Sequence, residues 1–214
     1  MPPPYNNLNA DRALIFRITH RDNIPWILQN GLHCRNSDQR DPNYVDIGNP
    51  ELIGMRHFRR VDCAPGGTLS DYVPFYFTPF SPMLLNIKTG YGGIRKRDNA
   101  EIVIIASSLR RLRELAIPFV FSDRHAYLAA AQFSSNLDDL NRIDWVSLQS
   151  RSFKKSDLDK FERYQAEALV HTMVPVTAII GIACYDGSVA VPIRDQLGPL
   201  GLDVRVTTQR SWYF

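Results

Sequence analysis

An α+β fold in one domain spanning residues 1–214, with a mixed central sheet and flanking helices, is what this chain predicts. Two observations carry that expectation. Apolar runs of strand length recur from one end to the other, with helical segments between them at no regular interval, and no internal repeat or low-complexity tract divides the 214 residues. A chain of this length also has the bulk to bury a real core.

Ala13 to Ile18 reads as a buried first strand that ends at Thr19-His20. Asp22 can cap a short helix from Ile24 to Asn30, with Pro25 in the first turn, where its missing N–H does no harm, and Gly31 closing it. From Asn36 to Asn49 the residues are polar and turn-forming, so a long loop is expected, of the kind that commonly carries function. Ile53 to Val61 reads as a short basic helix or extended piece, and Ala64-Pro65-Gly66-Gly67 as a turn. Tyr72 to Phe77 is an aromatic strand stopped by Pro79 and Pro82. Ile102 to Ser107 forms a central strand and Ser108 to Leu115 a helix. Pro118 to Phe121 is a further strand and Arg124 to Ala131 a helix. The polar stretch Asn136 to Lys160 reads as a linker with at most a helical turn or two. Strands then recur at Glu167 to Val170, Ala178 to Tyr185 and Val204 to Val206.

Composition narrows the function classes. The net charge of +3 permits an anionic partner without requiring one. Cys34, Cys63 and Cys184 are odd in number and far apart, with no C-x-x-C spacing, which points to a reducing compartment and gives no basis for a metal site. The opening Met1 to Tyr5 lacks the basic-then-apolar pattern of a leader, and runs such as Ile102 to Ala106 are too short to span a bilayer. A soluble cytoplasmic protein is expected. The absence of G-x-G-x-x-G argues against a Rossmann dinucleotide site.

One residue stands out chemically. In Arg163-Tyr164-Gln165-Ala166-Glu167-Ala168-Leu169-Val170, period two puts Gln165, Glu167 and Leu169 on one face of an apolar strand. A carboxylate there costs stability unless it is hydrogen-bonded, so it commonly has a task; the plain alternative is an edge residue paired to Arg163.

Several blocks in order resemble the DarT toxins: Ile18-Thr19-His20-Arg21-Asp22-Asn23-Ile24-Pro25-Trp26-Ile27-Leu28, Ile53-Gly54-Met55-Arg56, Asp71 to Phe77, Ser81-Pro82-Met83-Leu84, Ser122-Asp123-Arg124-His125-Ala126 and Gln165-Ala166-Glu167. The likeness runs from Ile15 to about Tyr185, and it departs from many members at Phe80, where they carry arginine. The resemblance implies an ADP-ribosyltransferase-like sheet. It also implies transfer of ADP-ribose from NAD, as co-substrate, to a base of single-stranded DNA, thymine before guanine, and a macrodomain-containing antitoxin as partner. By the same likeness Glu167 is the catalytic carboxylate that holds the nicotinamide ribose and stabilises the cation developing as nicotinamide leaves. Arg56 reaches the active centre; because a guanidinium stays protonated, it can stabilise a thymine anion but not serve as a base. His20 would grip the adenosine-side or nicotinamide-side ribose with Asn23 beside it. Tyr76, on the aromatic strand, would stack on the cofactor or on a splayed base. NAD would be clamped between the first strand-helix unit and the 36–49 loop. His125 would orient the base or its phosphate, and Trp145 and Arg151, in the segment before Glu167, would touch DNA. The rival readings are transfer to guanine, RNA or protein, and a non-catalytic nucleic-acid-binding module.

Overall fold

Leu14–His20 forms strand β1, and it pairs along its whole length with Ile102–Ser108, β4, from Leu14 opposite Ser108 to His20 opposite Ile102. Beyond β4 lie Gly181–Cys184, β9, and Arg205–Thr208, β10, which run parallel to each other. On the other side Tyr72–Tyr76, β3, pairs fully with Glu167–His171, β7, followed by Phe119–Ser122, β5, and Phe133–Ser134, β6. The eight-stranded sheet thus runs β10-β9-β4-β1-β3-β7-β5-β6, and the short strands Leu32–His33, β2, and Met173–Val174, β8, form a separate antiparallel pair. These are features of a computed structural model, which describes residues 5–214; Met1 to Pro4, part of the stretch read above for a leader, lie outside the described residues.

The two halves of the sheet meet at one residue pair, Phe16 opposite Tyr76. Past that pair β1 and β3 separate, and Pro74 supplies a reason. Its carbonyl accepts from Nη1 of Arg17 at 2.9 Å, so this residue's hydrogen-bonding side faces β1, where proline has no N–H to offer. Proline in a sheet is confined to edges and irregularities for this reason, and here it makes an internal edge. A cleft opens beneath, lined by Arg17 and Ile18 from one half and by Pro74, Tyr76 and Glu167 from the other.

Helices Ile24–Asn30, α1; Pro50–Met55, α2; Pro82–Thr89, α3; Leu109–Glu114, α4; Trp145–Ser150, α5; Leu158–Tyr164, α6; and Gly187–Leu200, α7, flank the sheet. Each of α2 to α7 begins at a side-chain cap, such as Asn49 accepting from the Glu51 and Leu52 amides ahead of α2. The central β4 residues Ile102, Val103, Ile104 and Ile105 are buried, as a strand covered on both faces should be.

Two expectations need correction, and one element was not anticipated. Residues 124–131 form turns rather than a helix, because their amides go elsewhere: His125 N–H to the Glu162 carbonyl, Ala126 N–H to the Glu167 carboxylate, Tyr127 N–H to the His125 ring. The 136–160 segment is not a loose linker: Leu140, Ile143 and Leu148 are buried and α5 lies within it. The 14-residue α7 lies in a stretch whose Pro192 and Pro199 argue against a helix; it buries Val189, Ala190, Ile193 and Leu197. The 36–49 loop stands as expected, without regular structure.

That loop is fastened by Asn23, which is buried. Its amide donates to Thr19 Oγ1 at 2.9 Å and to the Val45 carbonyl at 3.0 Å, and it accepts from the Val45 N–H at 2.8 Å. Asn23→Ala is expected to cost about 1–3 kcal/mol, the penalty for leaving buried polar groups unpaired, and to speed hydrogen exchange at the Val45 amide. Equal protection of that amide in variant and parent would show that the loop is held by something else.

Candidate active site

Glu167 opens β7 directly opposite Tyr76 on β3, next to the point where the sheet parts, and only 3% of it is exposed. Its Oε2 accepts from Nη1 of Arg56 at 2.9 Å and its Oε1 from the Ala126 N–H at 3.0 Å, with Nδ1 of His125 3.8 Å from Oε1. Its own N–H donates to Ser122 Oγ. Burial alone would raise the carboxyl's pKa; Arg56, then His125 and the Ala126 amide, outweigh it and hold Glu167 below its ordinary value. The group is an ionised carboxylate inside a cleft.

Arg56 sits at the C-terminal end of α2, so Asn49 at the other end of that helix sets its position. Nη2 of Arg56 is buried without a hydrogen-bond partner among the described residues, and so is Oγ of Ser70, which lines the same cleft. Nε of Arg17, in the same lining, is unpartnered too, and buried donors are rarely left so. Burial also lowers the pKa of His125; Glu167 pulls the other way, and Arg56 adds to the depression. His125 is therefore neutral at neutral pH. Because its Nδ1 accepts the Tyr127 N–H, the ring proton resides on Nε2, which makes that nitrogen a donor. Burial, and after it the Glu167 carboxylate, raise the Tyr76 hydroxyl pKa, so it remains protonated.

Glu167, Arg56, Tyr76 and His125, named from the sequence, therefore share one cleft, with Met83 in its wall. His20 is not brought there: it is buried, with Nδ1 accepting the Asp22 N–H and Nε2 3.5 Å from Glu101. Asn23 has its amide spent on Thr19 and the loop. Trp145 and Arg151 also lie outside the cleft lining. The Trp145 indole donates to the Leu140 carbonyl and packs edge-on against Phe77, while the Arg151 guanidinium lies 3.5 Å from the centre of the Phe80 ring. An arginine thus covers the position where the chain itself carries Phe80.

Sequence reading missed Arg17 and Tyr44. Arg17 spans the gap between the half-sheets, bonding Pro74 and the Tyr44 hydroxyl; Tyr44 also bonds Thr19 Oγ1 and lies beneath the Arg40 guanidinium. The signal was present: Arg17 is a lone charge in an apolar strand, the same anomaly that exposed Glu167, and Tyr44 is the one aromatic in the 36–49 loop. Ser70 carried no such signal. Among the described residues no group of three or more His, Cys, Asp or Glu side chains is placed to hold a metal ion.

A family model described as "ssDNA thymidine ADP-ribosyltransferase, DarT" matches residues 16–214. A DNA ADP-ribosyl transferase of Escherichia coli O127:H6 is 51% identical over 210 residues, 97% of this chain and 96% of that protein. The structure of Thermus sp. 2.9 DarT in complex with ADP-ribosylated ssDNA superposes with a TM-score of 0.87 at 33% identity, covering 95% of this chain and 97% of that one. The same Thermus protein in complex with NAD+ gives a TM-score of 0.83 at 33% identity, covering 95% and 98%. The fold is that of an ADP-ribosyltransferase. More narrowly, the chain belongs to the DarT family of ssDNA thymidine ADP-ribosyltransferases.

Two depressed pKa values act in the same direction on stability. The unfolded chain takes up a proton at His125 and at Glu167 before the folded one does, so stability falls as pH drops, first below about 6.5 and again below about 4.5. Urea titrations across this range are expected to show both declines in the parent, and His125→Ala is expected to abolish the upper one; an unaltered upper decline in that variant would refute the assignment.

Proposed function

We propose that this cleft binds NAD and that the enzyme transfers its ADP-ribose to a thymine of single-stranded DNA, releasing nicotinamide and one proton. Family membership supports the reaction; the observation that supports this siting is the buried, ionised Glu167 beside an arginine with an unpartnered buried donor. NAD supplies an activated glycosidic bond with a good leaving group. Glu167 holds the nicotinamide-side ribose and stabilises positive charge at its anomeric carbon, the kind of fixed electrostatic term worth roughly 3–4 kcal/mol when one such group is removed. Arg56 aims its free Nη2 at the thymine and stabilises the base as its ring nitrogen loses a proton. His125, neutral, donates from Nε2 to orient the base. Tyr76 and Met83 wall the cleft, and Arg17 with Tyr44 ties the 36–49 loop across β1 so that the loop closes over the nucleotide. Asn23 acts through that loop.

The same reading includes a macrodomain-containing antitoxin as partner and a cytoplasmic site of action. It rests on the family resemblance; no helix among the described residues is long and apolar enough to cross a membrane.

The test mixes the purified protein, NAD and single-stranded oligonucleotides of varied sequence, and reads the mass of the DNA. One added ADP-ribose, located by fragmentation on thymine, is the expected result. Mass added to guanine, to RNA or to the protein would move the activity to another acceptor, and no NAD consumption with any acceptor would leave only a binding module. Glu167→Gln is expected to lower the transfer rate by about 10²–10³-fold, measured with both substrates saturating. Near-normal turnover in that variant would overturn the mechanism.

A further inference from the structure

We infer that Phe58 is the stacking platform for the nucleobase next to the one modified, and so a residue that sets how the enzyme selects sequence around its target; this rests on the DNA-directed reading above. Phe58 is 83% exposed, more than any other large apolar side chain among the described residues. A single exposed apolar residue is ordinary on a protein surface, so the surroundings decide its meaning.

The surroundings are rigid. The amides of His57, Phe58 and Arg59 bond back to Gly54, Met55 and Arg56, continuing the end of α2 as a tight turn. On the far side, the Arg59 carbonyl accepts the Leu69 N–H at 2.9 Å, the Val61 N–H bonds Gly67, and Val61 is buried. The Arg59 guanidinium donates to the Leu128 carbonyl at 3.1 Å and lies over the Phe133 ring, tying this turn to the loop whose Ala126 amide grips Glu167. Residues on both sides of Phe58 are thus anchored, and the phenyl ring alone is left in water. Exposure here does not come from a loose segment.

Position and charge name the occupant. Phe58 is two residues past Arg56, so its Cα lies within about 7 Å of the Cα of the residue that reaches Glu167; we place its ring against the base beside the reacting one. Exposed His57 packs edge-on to it at 5.4 Å, and exposed Arg60 forms no ion pair among the described residues. A flat apolar ring beside an unpaired guanidinium is the combination that holds single-stranded DNA, with the ring under a base and the guanidinium near phosphate.

The experiment compares parent, Phe58→Ala and Phe58→Trp on an oligonucleotide with one reactive thymine. It repeats the comparison with each flanking nucleotide replaced in turn by an abasic site. Phe58→Ala is expected to raise the KM for DNA about tenfold or more, with a much smaller effect on kcat, and Phe58→Trp to restore it. At one flanking position the abasic site should weaken the parent but add nothing to the loss in Phe58→Ala, since both remove the same contact. Melting temperature and its rise with NAD should match the parent, because an exposed ring contributes little to folding. An unchanged KM, or abasic penalties that add fully to the substitution at every position, would remove the platform. A parent that modifies no oligonucleotide would remove the DNA-directed reading itself, an outcome distinct from an active parent with an indifferent Phe58→Ala.

Discussion

The absence of one N–H governs this molecule. β1 and β3 are neighbours in an eight-stranded sheet, yet they pair at a single position, and Pro74 sits where the ladder would otherwise continue. A donor there would extend the pairing and close the gap. Without it, the sheet divides into halves paired on their outer sides, β1 to β4 and β3 to β7, and the backbone groups that face the gap must find partners elsewhere. The opening costs little because Arg17 takes up the Pro74 carbonyl that β1 leaves unmet.

The charge at the centre depends on that opening. A carboxylate at the first position of a buried strand would be neutralised by desolvation if it stood alone. Here a guanidinium from the end of α2 and an amide from the 123–131 turn meet it, one on each oxygen. Neither donor has regular sheet or helix bonding to satisfy at that point, so both are free to serve the acid. The same turn fixes the tautomer of His125, and the site's charge pattern follows: one anion, one cation with a spare donor, one neutral ring. A buried ion pair is weak support for a fold, since desolvation offsets attraction. Its retention in a cleft speaks for chemistry.

Ligand access is handled by a third element. The 36–49 loop has no repeating backbone bonds of its own, and its order comes from Asn23, Tyr44 and the Arg35 and Arg40 pairs to Asp46. At its start Asn36 bonds the Ser70 carbonyl and the Asp71 carboxylate. A loop tied by a few side chains over a cleft is at the low end of local stability, where segments that close on ligands are drawn from.

The alternation of apolar residues was enough to place the central strands and the anomaly of Glu167, because period and burial are local properties of the chain. Arg17 could have been found the same way. The resemblance pointed to Arg56 and His125, but their meeting with Glu167 is a contact across 111 and 42 positions that no local pattern encodes. The turn at 124–131 looked helical because its residue types are, and it is not helical because its amides have better partners in β7 and α6. In α7 the opposite holds: two prolines argue against a helix, and packing of its apolar face overrides them. Sequence alone determined which residues are anomalous for their surroundings. Only the tertiary structure decided which of those anomalies face one another, because that depends on where a long-range ladder stops.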